Sequence, residues 1–339
     1  MTATARSDVR DFLNRKFAID FFKRYVFAGD GGDGGQEITD CRIRPLKLSK
    51  RGGKSVIDFT LHLRQRGRQI SKSVVCKWRP DGRGMQSFRL LRELWSKGFD
   101  GTDDLMIPEP IAYFPVIKLL ITARAKGFEL AHTLGMRPKK AVRFSIVQAS
   151  NWLTKLHGTR IDWVRGRSLE EEKRVLRRWG VQLGRLHPTA RERLHRILLV
   201  ALEEEKSVSP ERFLLTHGDF HQANIFVDKT HFSVIDFDQS CYFDPASDLG
   251  YFIAQLNIRK KRHRLRFDSE GLEDLFLGEY MRTASPQINK RVPIYEARAY
   301  LQHLFFDYCI LNREIDAAEF DYWVRRSEQC LQTGGVMNG

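Results

Sequence analysis

Residues 213–250 read FLLTHGDFHQANIFVDKTHFSVIDFDQSCYFDPASDLG, and this stretch decides the fold. The apolar run Phe213-Leu214-Leu215 delivers His217-Gly218-Asp219, and Asn224 follows shortly after. Ile225-Phe226-Val227 and Phe232-Ser233-Val234-Ile235 have the composition of short strands, with Asp228-Lys229-Thr230-His231 as the turn between them. Antiparallel pairing about that turn brings Asn224 back beside Asp236, and paired positions lie about 4.5–5.5 Å apart. An amide oxygen and a carboxylate at that separation can share a hard cation such as Mg2+. Asp219, upstream in the same loop, is then free to act as a base, which is the chemistry of phosphoryl transfer.

The composite HGDxxxxN, IDF and DPxxDL resembles the aminoglycoside phosphotransferase and choline kinase-type family, small-molecule relatives of the protein kinases. The resemblance implies a two-lobed, protein kinase-like α+β fold. An N-terminal helix and Gly-rich linker (1–40) would precede a β-rich N-lobe (41–121). A hinge (122–126), a mainly helical C-lobe (127–332) and a short tail (333–339) would follow. It implies transfer of the γ-phosphoryl group of ATP to a small-molecule hydroxyl, with Asp219 as catalytic base and Asn224 and Asp236 as Mg2+ ligands. His217 resembles the histidine that keeps the loop in shape, and Asp248 the structural aspartate that anchors it by hydrogen bonds. Within this stretch the sequence departs from the protein kinases at two positions, and its first turn, residues 49–54, also lacks their GxGxxG. His221 stands where they carry a lysine, and Asp238 replaces the glycine of a DFG motif.

Working outward, residues 41–78 read as a three-strand meander, with Gly52-Gly53 in the first turn and Arg66-Gly67-Arg68 in the second. The first turn, residues 49–54, can lay backbone N–H groups over phosphates. Lys77 closes an apolar strand and needs a partner for its charge. The next helix, residues 86–97, places Phe88, Leu91 and Trp95 on one stripe and offers a single acid, Glu93, as the default mate. In kinase-like folds that pair orients the lysine toward the phosphates. A solvated Glu93 paired with Arg89 or Lys97 is the alternative. The resemblance further implies that adenine meets backbone groups near Ile121 and Ala123.

The remaining chain is mostly helical. Residues 7–27 carry Phe12, Phe17, Phe21 and Phe22 at roughly helical intervals, as a helix packed on the body or docked on a membrane surface. Residues 29–35 match GxGxxG literally, but without a strand before and a helix after they read as a linker. Helices are expected over 146–156, 170–186, 191–205, 293–312 and 317–331.

With 339 residues and 42% hydrophobic content the chain is globular, and it has no apolar run long enough to cross a membrane. The charged N-terminus is unlike a secretory signal, so a cytoplasmic protein is the expectation. Five scattered cysteines form neither a disulfide framework nor a zinc motif. A net charge of +15 favours anionic partners. The basic run 259–266 is either a site for an anionic glycan, lipid or nucleic acid, or a solvated helix face. Acids after it, among them Asp268, Glu270, Glu273, Asp274, Asp316 and Asp321, could line a site for a cationic acceptor. The sequence leaves one other function open: a weak pseudokinase or scaffold that keeps the fold and binds anions through its basic surface.

Overall fold

The structure is a computed structural model that describes residues 8–27, 37–49, 53–229, 231–263, 271–314 and 316–333. It divides into two compact units. One comprises Met1–Lys126 with Ser233–Asp238, and the other Gly127–Phe232 with Gln239–Gly339.

The first unit opens with a short helix α1 (Arg15–Phe21) that continues as a π-helical turn, Phe22–Val26. Asn14 caps α1 by accepting a hydrogen bond from Phe17 N, so the expected long helix begins only after residue 14. Strands β1 (Glu37–Lys47), β2 (Ser55–Gln65) and β3 (Arg68–Trp78) form the meander. Arg66 and Gly67, both at positive φ, make the tight turn between β2 and β3. Helix α2 (Gly84–Leu94) leads to the two-residue strand β4 (Leu105–Met106), then β5 (Pro110–Phe114) and β6 (Leu119–Ala123). The main sheet is antiparallel in the order β1-β2-β3-β6-β5.

Phe12, Phe21 and Phe22 pack into the core of this sheet with Ile57, Phe59, Leu61 and Trp78. Phe12 meets the Trp78 ring edge-on at 4.9 Å and Phe22 meets Phe59 at 5.2 Å. Burying such rings contributes roughly 1.5–3 kcal/mol each. The face that membrane docking would need is therefore spent inside the protein. The buried apolar side chains of α2 are Leu90, Leu91 and Leu94, while Phe88 and, just past its end, Trp95 are only half-buried. The stripe is rotated from the expected one, and Phe88 stacks on Tyr113 of β5 at the edge of the buried face.

The second unit starts with β7 (Phe128–Glu129), the one-turn α3 (Leu130–Thr133) and the long α4 (Lys139–His157). Helix α5 (Leu169–Leu186) begins with a capping box between Ser168 and Glu171. Helix α6 (Arg191–Ser207) precedes β8 (Leu214–Thr216) and β9 (Ile225–Val227). Strand β9 pairs with β7, and the Asp228–His231 turn after it is closed by Asp228 N donating to His231 O at 3.1 Å. Strand β10 (Phe232–Val234) leads into the stretch that belongs to the first unit, where it lies beside β4. The expectation that residues 127–332 form one lobe misses this detour.

Strand β11 (Cys241–Phe243) returns to pair with β8. Helices α7 (Ala246–His263), α8 (Leu272–Met281), α9 (Pro286–Phe305) and α10 (Ala317–Thr333) complete the unit. Helices α7 and α9 approach so closely that a Cβ at Gly250 would lie 2.6 Å from the Glu296 backbone nitrogen. The core here joins α5, α6, α9 and α10 through Leu183, Ile197, Tyr300 and Trp323.

Among the described residues, no helix is long and apolar enough to cross a membrane, and the cysteines are free thiols.

Candidate active site

In the second unit, β8 runs straight into the His217-Gly218-Asp219 loop. Gly218 sits at φ +76°, and a Cβ there would be 2.4 Å from the Gln239 carbonyl oxygen, so only glycine fits. Asp248, in the first turn of α7, is fully buried and accepts hydrogen bonds from His217 N at 2.7 Å and Gly218 N at 2.8 Å. His157 Nε2 lies 3.2 Å from the same carboxylate, and its Nδ1 meets Tyr280 Oη at 2.6 Å. Burial opposes the charge on Asp248, but the hydrogen bond and charge of His157, with help from His217, hold its pKa below the ordinary value. His217 Nδ1 in turn accepts from Asp219 N at 3.2 Å. Phe220, wholly buried, lies against Trp152 at 5.6 Å and Phe252 at 5.5 Å, bolting the loop to α4 and α7.

The loop presents Asp219. Asn224 Nδ2 donates to the Asp219 carbonyl at 2.9 Å and to its Oδ2 at 3.2 Å, which directs the amide oxygen elsewhere. His221 Nδ1 accepts from Ala223 N at 3.2 Å, and its Nε2 lies 3.1 Å from Asn224 Nδ2 and 3.6 Å from Asp219 Oδ1. Burial works against ionisation of Asp219. The hydrogen bond and charge of His221, the charge of His217 and a hydrogen bond from Tyr251 outweigh it and hold the carboxyl at about 2. The folded value is depressed, so its stabilisation is present above the ordinary value of 3.8 and is lost as pH falls through about 2. Carboxyl-carbon NMR is expected to show no Asp219 titration between about pH 4 and pH 8, and a higher pKa in His221→Ala. A midpoint inside that window for the unaltered protein would overturn the assignment.

In the first unit, Asp236 lies at φ +68°, a left-handed conformation that strains a non-glycine residue and that aspartate tolerates better than most. Its carboxylate meets Lys77 Nζ at 2.8 Å and Lys54 Nζ at 2.9 Å. Burial again raises the cost of the charge, and Lys77 and then Lys54 reverse it, keeping Asp236 well below the usual carboxylate range. Asp238, with a side chain only 6% exposed, meets Lys77 at 2.9 Å, Lys54 at 3.0 Å and Ser87 Oγ at 3.1 Å, and also pairs with Arg79.

The structure thus gives Lys77 the partners Asp236 and Asp238, where the sequence points to Glu93. Glu93 is on α2 one turn from Arg89, with which it forms an ion pair at 3.8 Å. Ser87, on the buried face of α2, reaches Asp238 instead. Ile121 lies inside β6 between β3 and β5, and Ala123 N donates to Glu109 O at 2.8 Å, so that N–H is already taken. Gly53 N donates to Ser49 Oγ at 2.7 Å. Gly52 lies outside the described residues.

Two side chains at these sites went unread in the sequence. Tyr251 reaches Asp219 from α7, three residues after Asp248 and therefore on the same helix face, a spacing that could have flagged it. Lys54 ends the glycine-containing turn, and in the sequence nothing local sets it apart from the nearby Lys50 and Arg51.

The basic run also reads differently. Arg259 donates to Ala131 O, Lys260 pairs with Glu273, Lys261 lies over the Tyr322 ring at 3.8 Å, and Arg262 pairs with Asp307 and Glu319. These cations tie α7 to its neighbours rather than forming a free anionic-partner site or a bare solvated face. Of the acids considered for a cationic acceptor, Glu273 is held by Lys260 and Asp321 by Arg193. Residues 264–266, Asp268 and Glu270 lie outside the described residues, as do most of the linker (28–36) and the tail (334–339).

No curated protein matches the sequence. Solved structures do. A choline/ethanolamine kinase family protein from Mesorhizobium loti aligns at 16% identity with a TM-score of 0.60, over 95% of this chain and 96% of its own. Choline kinase from Cryptosporidium parvum aligns at 12% identity and a TM-score of 0.62, over 95% and 97%. An aminoglycoside phosphotransferase of the APH(2'') type, solved with GDP and kanamycin, aligns at 13% identity and 0.56, over 94% and 99%. The chain therefore has the fold of these kinases, and its residues 153–275, which hold the Asp219 loop, match the phosphotransferase enzyme family.

Proposed function

We propose that this protein is a nucleotide-dependent phosphotransferase that moves a γ-phosphoryl group, most simply from ATP, to a hydroxyl of a small molecule. The observation that carries this is the Asp219 loop. An ionised carboxylate sits beside Asn224, on a backbone fixed by two hydrogen bonds to the buried Asp248. A carboxylate held that low accepts a hydrogen bond from an incoming hydroxyl and takes its proton once bonding to phosphorus has begun.

Among the described residues no group of three or more His, Cys, Asp or Glu side chains could hold a metal ion by itself. That suits Mg2+, which is bound through one or two carboxylates and completes its shell with water and substrate phosphates. Asp236, kept ionised by its lysines, and the amide oxygen of Asn224 are hard oxygen donors of the right kind. These two residues would hold the ion, which when bound neutralises and orients the phosphates. Lys77 would hold phosphate oxygens. His217 and Asp248 keep the loop in shape.

The acceptor is a hydroxylated small molecule of the aminoglycoside, choline or sugar kind. A protein acceptor is disfavoured by the short HGDxxxxN form and by the lack of a recognisable activation segment in the sequence.

The test is nucleotide consumption with ATP and with GTP across aminoglycosides, choline, ethanolamine, sugars and homoserine, with Asp236→Ala as the blank. Acceptor-dependent turnover is expected for one class, abolished by chelating Mg2+ and by the substitution. Turnover that survives both would refute the metal role. Absence of nucleotide binding would refute the reading altogether and favour the scaffold.

A further inference from the structure

Lys54 occupies a position the phosphotransferase reading does not account for. It follows the turn between β1 and β2, and its ammonium bridges the same two carboxylates as Lys77. Lys54 Nζ lies 2.9 Å from Asp236 and 3.0 Å from Asp238, and Lys77 Nζ lies 2.8 Å and 2.9 Å from them. Both lysine side chains are largely buried, at 28% and 15% exposed. Arg79 also reaches Asp238 but is balanced by Asp81, which it contacts through Nε at 3.1 Å and Nη2 at 2.8 Å. Lys54, Lys77, Asp236 and Asp238 thus form a neutral four-charge cluster within the first unit.

The turn itself was expected to offer backbone N–H groups to phosphates. Instead Gly53 N is spent on Ser49 Oγ, and Ser49 N donates to Ser55 Oγ at 3.0 Å. Lys54, directly after Gly53, turns its side chain to the two acids.

We propose that Lys54 is a second phosphate-holding cation and an exchangeable counter-ion for Asp236 and Asp238. This rests on the phosphotransferase reading. When a divalent cation takes Asp236, both ammoniums lose part of their compensation, and a half-buried cation without an anion is costly. A nucleotide's phosphate tail restores it. Lys54 and Lys77 therefore pass together from carboxylate to phosphate. In the absence of nucleotide Lys54 competes with the metal for the acids.

Two binding measurements on the full chain test this. ATP and adenosine affinities are compared by calorimetry for the unaltered protein, Lys54→Met and Lys54→Arg, without turnover. Mn2+ affinity is measured by electron paramagnetic resonance without nucleotide. Lys54→Met is expected to weaken ATP by about 10- to 100-fold, the range for a charge-assisted contact, with adenosine unchanged. It is also expected to tighten Mn2+, and Lys54→Arg should restore most of the ATP affinity. An unchanged ATP affinity, an equal loss for ATP and adenosine, or unchanged Mn2+ binding would each overturn the proposal. If the unaltered protein binds neither ATP nor adenosine, the phosphotransferase reading itself fails, and this inference with it.

Discussion

Asp219→Asn is expected to reduce turnover by about 10²–10⁴-fold while leaving nucleotide affinity within a few-fold of the original. The carboxyl's pKa of about 2 defines what is lost. Such a group is too weak a base to remove an alcohol proton before the reaction begins. Its contribution is a full negative charge aimed at the attacking hydroxyl and a place for the proton to go as the bond to phosphorus forms. An amide retains the shape and loses both. The substitution also disturbs Asn224, whose Nδ2 donates to Asp219 Oδ2 and would face a second amide. Steady-state kinetics with saturating nucleotide, together with direct nucleotide titration, separate the two effects. A variant with undiminished turnover would remove Asp219 from the reaction.

Asp248→Asn is expected to be the most destabilising single-atom exchange in the second unit. Asp248 is 1% exposed, and its two oxygens receive the backbone N–H groups of His217 and Gly218, with His157 as a third partner. An asparagine offers one oxygen and one NH2. One loop N–H must then face another donor in a dry site, and the contact with His157 must rearrange. Leaving a buried donor unsatisfied in this way costs about 1–3 kcal/mol, and more where a charged acceptor is lost. Urea unfolding followed by tryptophan fluorescence reads the loss, since Trp152 lies 6.2 Å from the His217 ring. A shift below about 1 kcal/mol would show that the loop is held by its aromatic bolts instead.

How much of this was legible in the sequence depended on distance along the chain. The Asp219 loop could be read because its parts are close together and of diagnostic types: a glycine, an acid, an amide, and a second acid at a helix start. The meander was legible from alternation, and its strands prove longer than the apolar runs alone suggested because their polar ends still pair. Lys77 was visible as a cation in an apolar strand. Its partner was not, because Asp236 lies 159 residues away and nothing local ranks it above the nearer Glu93. Lys54 was hidden for the same reason, its acids being 182 and 184 residues distant. The N-terminal phenylalanines announced burial, yet their regular spacing concealed that Asn14 starts a new helix. The basic run misled because a list of cations says nothing about the acids that α8, the turn after α9, and α10 bring to them.

The detour of Ser233–Asp238 into the first unit has a consequence for how the protein can be divided. A gene fragment ending at residue 126 would express Lys54, Lys77 and Arg79 without Asp236 and Asp238, three inward cations with only Asp81 to compensate them. Such a fragment should be insoluble or should scavenge anions indiscriminately. Recombination between relatives faces the same obstacle. A chimaera that exchanges the first 126 residues inherits half of a charge cluster whose other half stays behind, so a working exchange must carry that late, short segment with it.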